Sequence, residues 1–238
     1  MKYAFISDIH GNAVALEAVL KDISAKDVDK IVVLGDLCFR GPEPKRALDL
    51  IRSLGTDVIK GNADEWVIRG IKKGEVPDSA LEIMNKEREW CASKLSKDDI
   101  DYLLNLPTNY KLTIEPMAIS GFHATPGSLF EIVLPHAEDQ IMYEKLMNEE
   151  DDIFVYGHIH IPFIRYINGK LIINTGSVGL PFDGMPKASY AIVEIAAGNF
   201  RTSIERVDYD VEKVCHQYRT ADYPNKDFMI NLLRNAKP

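Results

Sequence analysis

Three short strand-like runs near the N-terminus, each ending at polar or glycine residues, constrain the fold most. Residues 3–7 read as a buried strand, 30–34 as a second apolar strand ending at Gly35-Asp36, and 56–60 as a third ending at Gly61-Asn62. Between the first two, Ala13, Leu16, Ala18, Val19, Leu20 and Ile23 recur at the spacing of one helix face. Between the second and third, Pro44 takes a favoured first helical position. Ala47, Leu48, Leu50, Ile51 and Leu54 then form an apolar face that stops at Gly55. A β-α-β-α-β order requires a sheet with helices on its faces, an α/β class.

The middle of the chain follows another pattern. Residues 65–106 are charged, rich in helix formers and poor in strand formers, which predicts two or three helices between strands of the core. Ser96 and Asp99 are spaced as an N-terminal capping pair, and Pro107 closes the segment. Strand signals return at 111–114, 117–121, 153–156, 163–167 and 171–173, with Asn168-Gly169 as a type I′ hairpin turn. A second hairpin is expected from 189–195 and 200–207 around Gly198-Asn199, and the tail from Asp210 reads as helical. The expectation is one domain over residues 1–238. The insertion at about 65–106 directly follows the segment Gly61-Asn62-Ala63-Asp64 and is expected to cap whatever that segment helps to build.

Composition removes several function classes. The 28 Lys and Arg against 36 Asp and Glu leave a formal charge of −8, which argues against a stable nucleic-acid complex. No run approaches the roughly 18 apolar residues of a membrane span, and the opening residues lack the pattern of a secretory leader. Cys38, Cys91 and Cys215 are widely spaced and odd in number, so a disulfide framework is not expected and a cytoplasmic location is.

Metal-type residues fall one after another at the C-terminal ends of the predicted strands. Asp8 and His10 follow the first, Asp36 the second, Asn62 the third; His123, His158 and His160 follow later ones. That edge of an open α/β sheet is where ligands bind. A carboxylate, amide and imidazole set without thiolate suits Mn or Fe, with Zn or Ni possible. A shared Asp can bridge two ions, and two ions about 3.5–4 Å apart can clamp a phosphoryl group and generate hydroxide between them.

Taken in order, Asp8-Ile9-His10, Gly35-Asp36, Gly61-Asn62-Ala63-Asp64, His123 and Gly157-His158-Ile159-His160 resemble the five motifs of the calcineurin-like metallophosphoesterase superfamily. The small bacterial and archaeal phosphodiesterase-like and diadenosine tetraphosphatase-like members are the nearest in pattern. The resemblance implies a four-layer αββα sandwich of two mixed sheets. It also implies two divalent ions, one held by Asp8, His10 and His160, the other by Asn62, His123 and His158, with Asp36 between them. The implied catalytic group is Asp36, Asn62, His123 and Arg40, acting on a small phosphorylated substrate. Asn62 also admits a plain reading as a helix cap after Gly61.

Arg40 sits in a Gly-Asp-x-x-x-Arg-Gly segment like that of phosphoprotein phosphatases and symmetric diadenosine tetraphosphate hydrolases. It is read as a phosphate clamp or as a turn arginine. The stretch Asn174-Thr175-Gly176-Ser177-Val178-Gly179 is similar to one common in the small members, where it is either a ligand-side or a purely structural loop. The third motif carries Ala63 where many members have a His, and alanine cannot protonate a leaving oxygen. General acid help is worth about 10²–10⁴ in rate, so its loss favours anhydrides over alkyl esters. A water, His136 or another residue is an open substitute, and Ala63→His is expected to speed alkyl esters selectively. Trp66 and Trp90 on the insertion either stack on a base or pack it against the core; Arg69, Lys72 and Lys73 read as a solvated face, and Cys38 as packing. The leading expectation is hydrolysis of a nucleotide anhydride such as diadenosine tetraphosphate. A small or cyclic diester is the alternative substrate, and a metal-binding scaffold without turnover is the alternative of another class.

Overall fold

The computed structural model describes residues 1–237. Its first sheet opens with β1 (Lys2–Ile6), β2 (Lys30–Val33) and β3 (Asp57–Val58), all parallel, connected by α1 (Ala13–Ser24) and α2 (Pro44–Ser53). The hairpin β9 (Ala188–Ala196) and β10 (Asn199–Val207) completes it, with β9 antiparallel to β1, in the order β10-β9-β1-β2-β3. The second sheet has β4 (Asn109–Ile114), β5 (Met117–Phe122), β6 (Ile153–Tyr156), β7 (Phe163–Ile167) and β8 (Lys170–Asn174), in the order β4-β5-β6-β8-β7. Its centre is parallel and its two edges antiparallel.

The period of two along each strand sorts side chains into layers. Tyr3 and Phe5 of β1 pack with Ile119, Ile153, Val155, Leu171 and Ile173 in the core between the sheets. Ala4 and Ile6 face the other way, into a cluster with α1 and α2. Phe154 and Tyr156 of β6 do the same on the far side, against Met142 and Leu146 of α6 (Asp139–Leu146). The result is the αββα sandwich. Both faces of each central strand are buried, which is why these runs read as nearly unbroken apolar sequence.

Between β3 and β4 stand α3 (Asn62–Arg69), α4 (Asp78–Ala92) and α5 (Lys97–Leu104). Their buried residues Trp66, Val67, Met84, Cys91 and Leu103 join the cluster that holds α1 and α2. The Ser96–Asp99 capping pair forms in both directions, at 3.2 Å to Asp99 N and 2.9 Å from Ser96 N. At the C-terminus α7 (Val211–Thr220) and α8 (Lys226–Asn235) pack together. No helix among the described residues is long and apolar enough to cross a membrane.

Two local expectations need correction, and one helix was not expected. Helix α6 carries no clear sequence signal, because only Met142 and Leu146 of its eight residues are buried. The β9–β10 turn is Ala197-Gly198, one residue earlier than expected, with Ala197 itself in the left-handed region at φ 50°. Asn62 is not a helix cap: Gly61 is the N-cap and Asn62 the first helical residue, so its side chain is free for other work.

Candidate metal centre

The strand ends of both sheets converge on one edge and are stitched together through backbone. His10 N donates to Asp36 O at 2.9 Å and Gly11 N to Leu37 O at 3.0 Å, which joins the loops after β1 and β2. Gly179 N donates to Asp8 O at 2.9 Å and Gly157 N to His123 O at 3.0 Å, which brings in the second sheet. Space at these crossings is tight. A Cβ on Gly157 would lie 2.5 Å from Asp8 Oδ2, and one on Gly41 would lie 1.8 Å from His10 O. The backbone is also bent unusually: Asp8, His10, Asp36, His158 and His160 have φ of 56°, 48°, 57°, 68° and 57°. Such left-handed conformations cost about 1–3 kcal/mol each outside glycine and persist where the surroundings over-determine them.

Asp8, His10, Asp36 and His160 each direct one ligand atom into a common space, with these atoms within 4.8 Å of one another. His10 Nε2 lies 3.2 Å from His160 Nε2 and 3.5 Å from Asp36 Oδ2, and His160 Nε2 lies 3.1 Å from Asp8 Oδ1. Beside this group, Asn62 Oδ1 lies 2.8 Å from His123 Nε2 and 2.9 Å from His158 Nδ1. Asp36 belongs to both groups, since its Oδ1 is 3.4 Å from His123 Nε2. All seven residues expected from the sequence therefore meet at one place.

The protons decide what this place can hold. Carbonyl oxygens can only accept, so Nδ1 of His10 donates to Phe39 O at 2.9 Å, that of His123 to Leu34 O at 2.8 Å, and that of His160 to Leu180 O at 2.5 Å. In the neutral rings each Nε2 is then a bare lone pair. Two of them face each other at 3.2 Å, and a third faces the Asn62 carbonyl oxygen at 2.8 Å. Burial, then the charge of neighbouring His160, pushes His10 down to about 3, so its Nε2 stays unprotonated. Burial and neighbouring His123 likewise push His158 down to about 3. Burial alone would raise the Asp8 carboxyl, but the surrounding imidazoles, His160 foremost, hold it below the usual range. Burial and then the carboxylates of Asp8 and Asp64 push Asp36 well up. Asp8 Oδ1 and His158 Nε2 are buried with no hydrogen-bond partner. Lone pairs and anionic oxygens aimed inward, with their outer nitrogens anchored, form a cation site, and the residues present fit divalent metal.

Further residues shape the site. Asp64 is fully buried and accepts from Asp36 N, Leu37 N and Gly61 N at 2.8–2.9 Å, so it fixes the loop that carries Asp36. The stretch 174–179 is a structural brace. Asn174 Nδ2 donates to Gly157 O at 2.6 Å and Ser177 Oγ to Asp8 O at 2.7 Å. Phe182 stacks on His160 with centroids 4.2 Å apart. The Asp64 partnership was not read from the motif that contains it, and the carbonyl anchors carry no residue-type signature at all.

Arg40 lies directly before Gly41, whose backbone packs on His10, and it faces Glu87 of α4. Burial pushes the Glu87 carboxyl up, opposed by the Arg40 guanidinium. Trp66 and Trp90 both pack. Trp66 meets Phe39 and Phe130 and donates Nε1–H to Glu75 Oε2 at 3.0 Å; Trp90 meets Tyr223 edge-on. Arg69 is tied to Glu65 and Glu75 rather than simply solvated. Ala63 is 1 % exposed and belongs to the apolar cluster beside α1 and α2, while His136 is exposed. Cys38 is buried, with the Cys91 thiol 3.5 Å from its carbonyl oxygen, as packing predicts.

A model of the calcineurin-like phosphoesterase superfamily domain matches residues 1–198. The chain belongs to that superfamily. It is therefore a hydrolase of the phosphoesterase class, and α7 and α8 lie beyond the matched region. An uncharacterised protein of Methanocaldococcus jannaschii is 33% identical over 231 residues, covering 88% of each chain. Phosphodiesterase YfcE of Escherichia coli is 27% identical, over 82% of this chain and 88% of its own. A symmetrical bis(5'-nucleosyl)-tetraphosphatase of Pectobacterium carotovorum is 31% identical over 44% of this chain and 36% of its own. Among solved structures, a metallophosphoesterase from Sphaerobacter thermophilus superposes with a TM-score of 0.80 at 28% identity, over 99% of both chains.

Proposed function

We propose that this chain hydrolyses phosphoester or phosphoanhydride bonds with two divalent ions, and that Mn²⁺ or Fe are the metals, ahead of Zn²⁺ and Ni²⁺. The observation that carries the proposal is the set of inward-turned imidazole nitrogens lying close to one another and to carboxylate and amide oxygens. Asp8, His10 and His160 would hold one ion, Asn62, His123 and His158 the other, and Asp36, which lies close to His10 and to His123, would serve both. When bound, the ions supply polarisation of the phosphoryl oxygens and activation of water.

The chain's own residues do the remaining work. Carbonyls of Leu34, Phe39 and Leu180 orient three imidazoles with Nε2 turned inward. Asp64 sets the Asp36 loop. Arg40 follows Phe39, whose carbonyl anchors His10, and its guanidinium, near enough for its charge to act on His10, offers a fork suited to phosphate oxygens. No side chain at position 63 reaches the site to protonate a leaving group, which favours leaving groups that depart unaided. A nucleotide anhydride such as diadenosine tetraphosphate meets that condition, and the partial likeness to a tetraphosphatase agrees with it. The likeness to a phosphodiesterase over far more of the chain favours a second reading, a small diester with an activated leaving group.

The deciding experiment offers diadenosine tetraphosphate and bis(p-nitrophenyl) phosphate to Mn²⁺-loaded protein, with Asp36→Asn as control. Turnover of either, abolished by the substitution, supports the centre and selects the substrate class. Metal binding without turnover of either would replace the enzyme with a scaffold.

A further inference from the structure

Arg40 is gripped along one edge and open along the other. Its Nε is buried and lies 3.3 Å from Glu87 Oε2, and Glu87 itself is fully buried on α4. Neither carboxylate oxygen of Glu87 has a hydrogen bond of ordinary geometry, so the Arg40 guanidinium is its cationic partner. The two terminal nitrogens of Arg40 make no hydrogen bond among the described residues. Unlike Nε, they are not among the buried unpaired atoms, so they reach solvent. The C-terminal helices complete the grip. Tyr218 Oη of α7 donates to the Arg40 carbonyl at 2.5 Å, and the ring of Phe228 of α8 lies 5.8 Å from the guanidinium carbon. The Arg40 backbone is left-handed, at φ 68°, a conformation these contacts help to hold.

A fully buried carboxylate costs several kcal/mol of desolvation, and one cationic partner at imperfect geometry, with the Asn225 amide nearby, does not recover it. Such a residue weakens the fold, so its placement points to another end. We infer that Glu87 is a positioning residue: it holds the Nε edge of Arg40 so that the terminal nitrogens are offered as a fork to a substrate phosphate beside His10. By this inference, which rests on the phosphate-clamp reading of Arg40, α4 and the helices beyond residue 198 form part of the substrate site.

The test compares Arg40→Ala, Glu87→Gln and the double variant in the full Mn²⁺-loaded chain. KM, kcat and inhibition by inorganic phosphate are measured, together with thermal unfolding of each protein. Loss of a charge-assisted hydrogen bond to phosphate predicts a KM about tenfold or more higher for Arg40→Ala. Glu87→Gln is expected to raise KM and the phosphate inhibition constant about fivefold, with kcat nearly unchanged and the unfolding midpoint no lower than wild type, since a costly buried charge is removed. It should add nothing once Arg40 is gone, because it acts only through Arg40. Should Glu87→Gln fail to fold, Glu87→Asp, which retracts the carboxylate by one methylene, is expected to shift KM in the same direction. An unchanged KM for the Glu87 variants beside an affected Arg40→Ala overturns the inference. So does an equal Glu87→Gln effect in the Arg40→Ala background. An unchanged KM for Arg40→Ala overturns the clamp reading itself, and the role of Glu87 with it.

Discussion

Gly157→Ala tests the centre with a single methyl group. The added Cβ would lie 2.1 Å from Ser7 Oγ, 2.5 Å from Asp8 Oδ2 and 2.8 Å from Ser7 Cβ. Ordinary contact begins at about 3.5 Å, so the Asp8 carboxylate must retreat by roughly 1 Å. Metal sites tolerate about 0.2 Å in ligand distance, and displaced outer contacts alone cost 10–100-fold in affinity. The expected loss in Mn²⁺ affinity is therefore about 100-fold, or about 2.7 kcal/mol. Overpacking should lower the stability of the metal-free protein by about 1–3 kcal/mol. Adding Ser7→Ala removes the 2.1 Å contact but not the one with Asp8, so it should recover part of the stability and little of the affinity. Calorimetric titration with Mn²⁺ and urea unfolding of the metal-free proteins measure the two quantities separately. Wild-type affinity in a folded Gly157→Ala protein would refute the placement of Asp8 at the metal.

Other expectations follow from the same geometry. Chelation should lower the unfolding midpoint, because buried lone pairs and carboxylates lose the charge that holds them together; readdition of Mn²⁺ at 100 times its Kd should restore about 2.7 kcal/mol, roughly 5–10 °C for a chain of this size. Hydrogen bonds from Arg69, then those from Lys72 N and Trp66, hold Glu75 down at about 2 against an ordinary 4.5. Its contribution to stability is full above pH 4.5 and is lost as pH falls toward 2, so Glu75→Gln should flatten the acid limb of a stability–pH curve in that window, and an unaltered limb would contradict the pairing. Ala63→His is now expected to cost about 1–3 kcal/mol by overpacking without speeding alkyl esters, because position 63 is sealed in apolar core. Comparing kcat on alkyl and aryl substrates, with unfolding in urea, checks both halves.

What could be read beforehand followed from where the chemistry is written. Asp8, His10, Asp36, His123, His158 and His160 are rare polar types at the ends of apolar strands, and strand ends are visible as breaks in hydrophobic sequence. The sheets were legible for the same reason. The anchors of the imidazoles were not, because Leu34, Phe39 and Leu180 contribute carbonyls, which every residue owns. Glu87 was hidden differently: it meets Arg40 across the chain, and no local period links α4 to the loop after β2. Helix α6 escaped because two buried side chains make no stripe.

The left-handed backbone at Asp8, His10, Asp36, His158 and His160 bears on how such a site can be lost. Asp, Asn, His and Gly accept that conformation most readily, and β-branched residues reject it. Most replacements there would harm the scaffold together with the chemistry and be purged as folding defects. Exchanges of Asp or His for Asn or Gly form the narrow corridor through which catalysis can be extinguished while the architecture survives. A silent descendant of this chain, kept as a docking platform, should therefore carry asparagine or glycine at these turns and keep its brace at 174–179 intact.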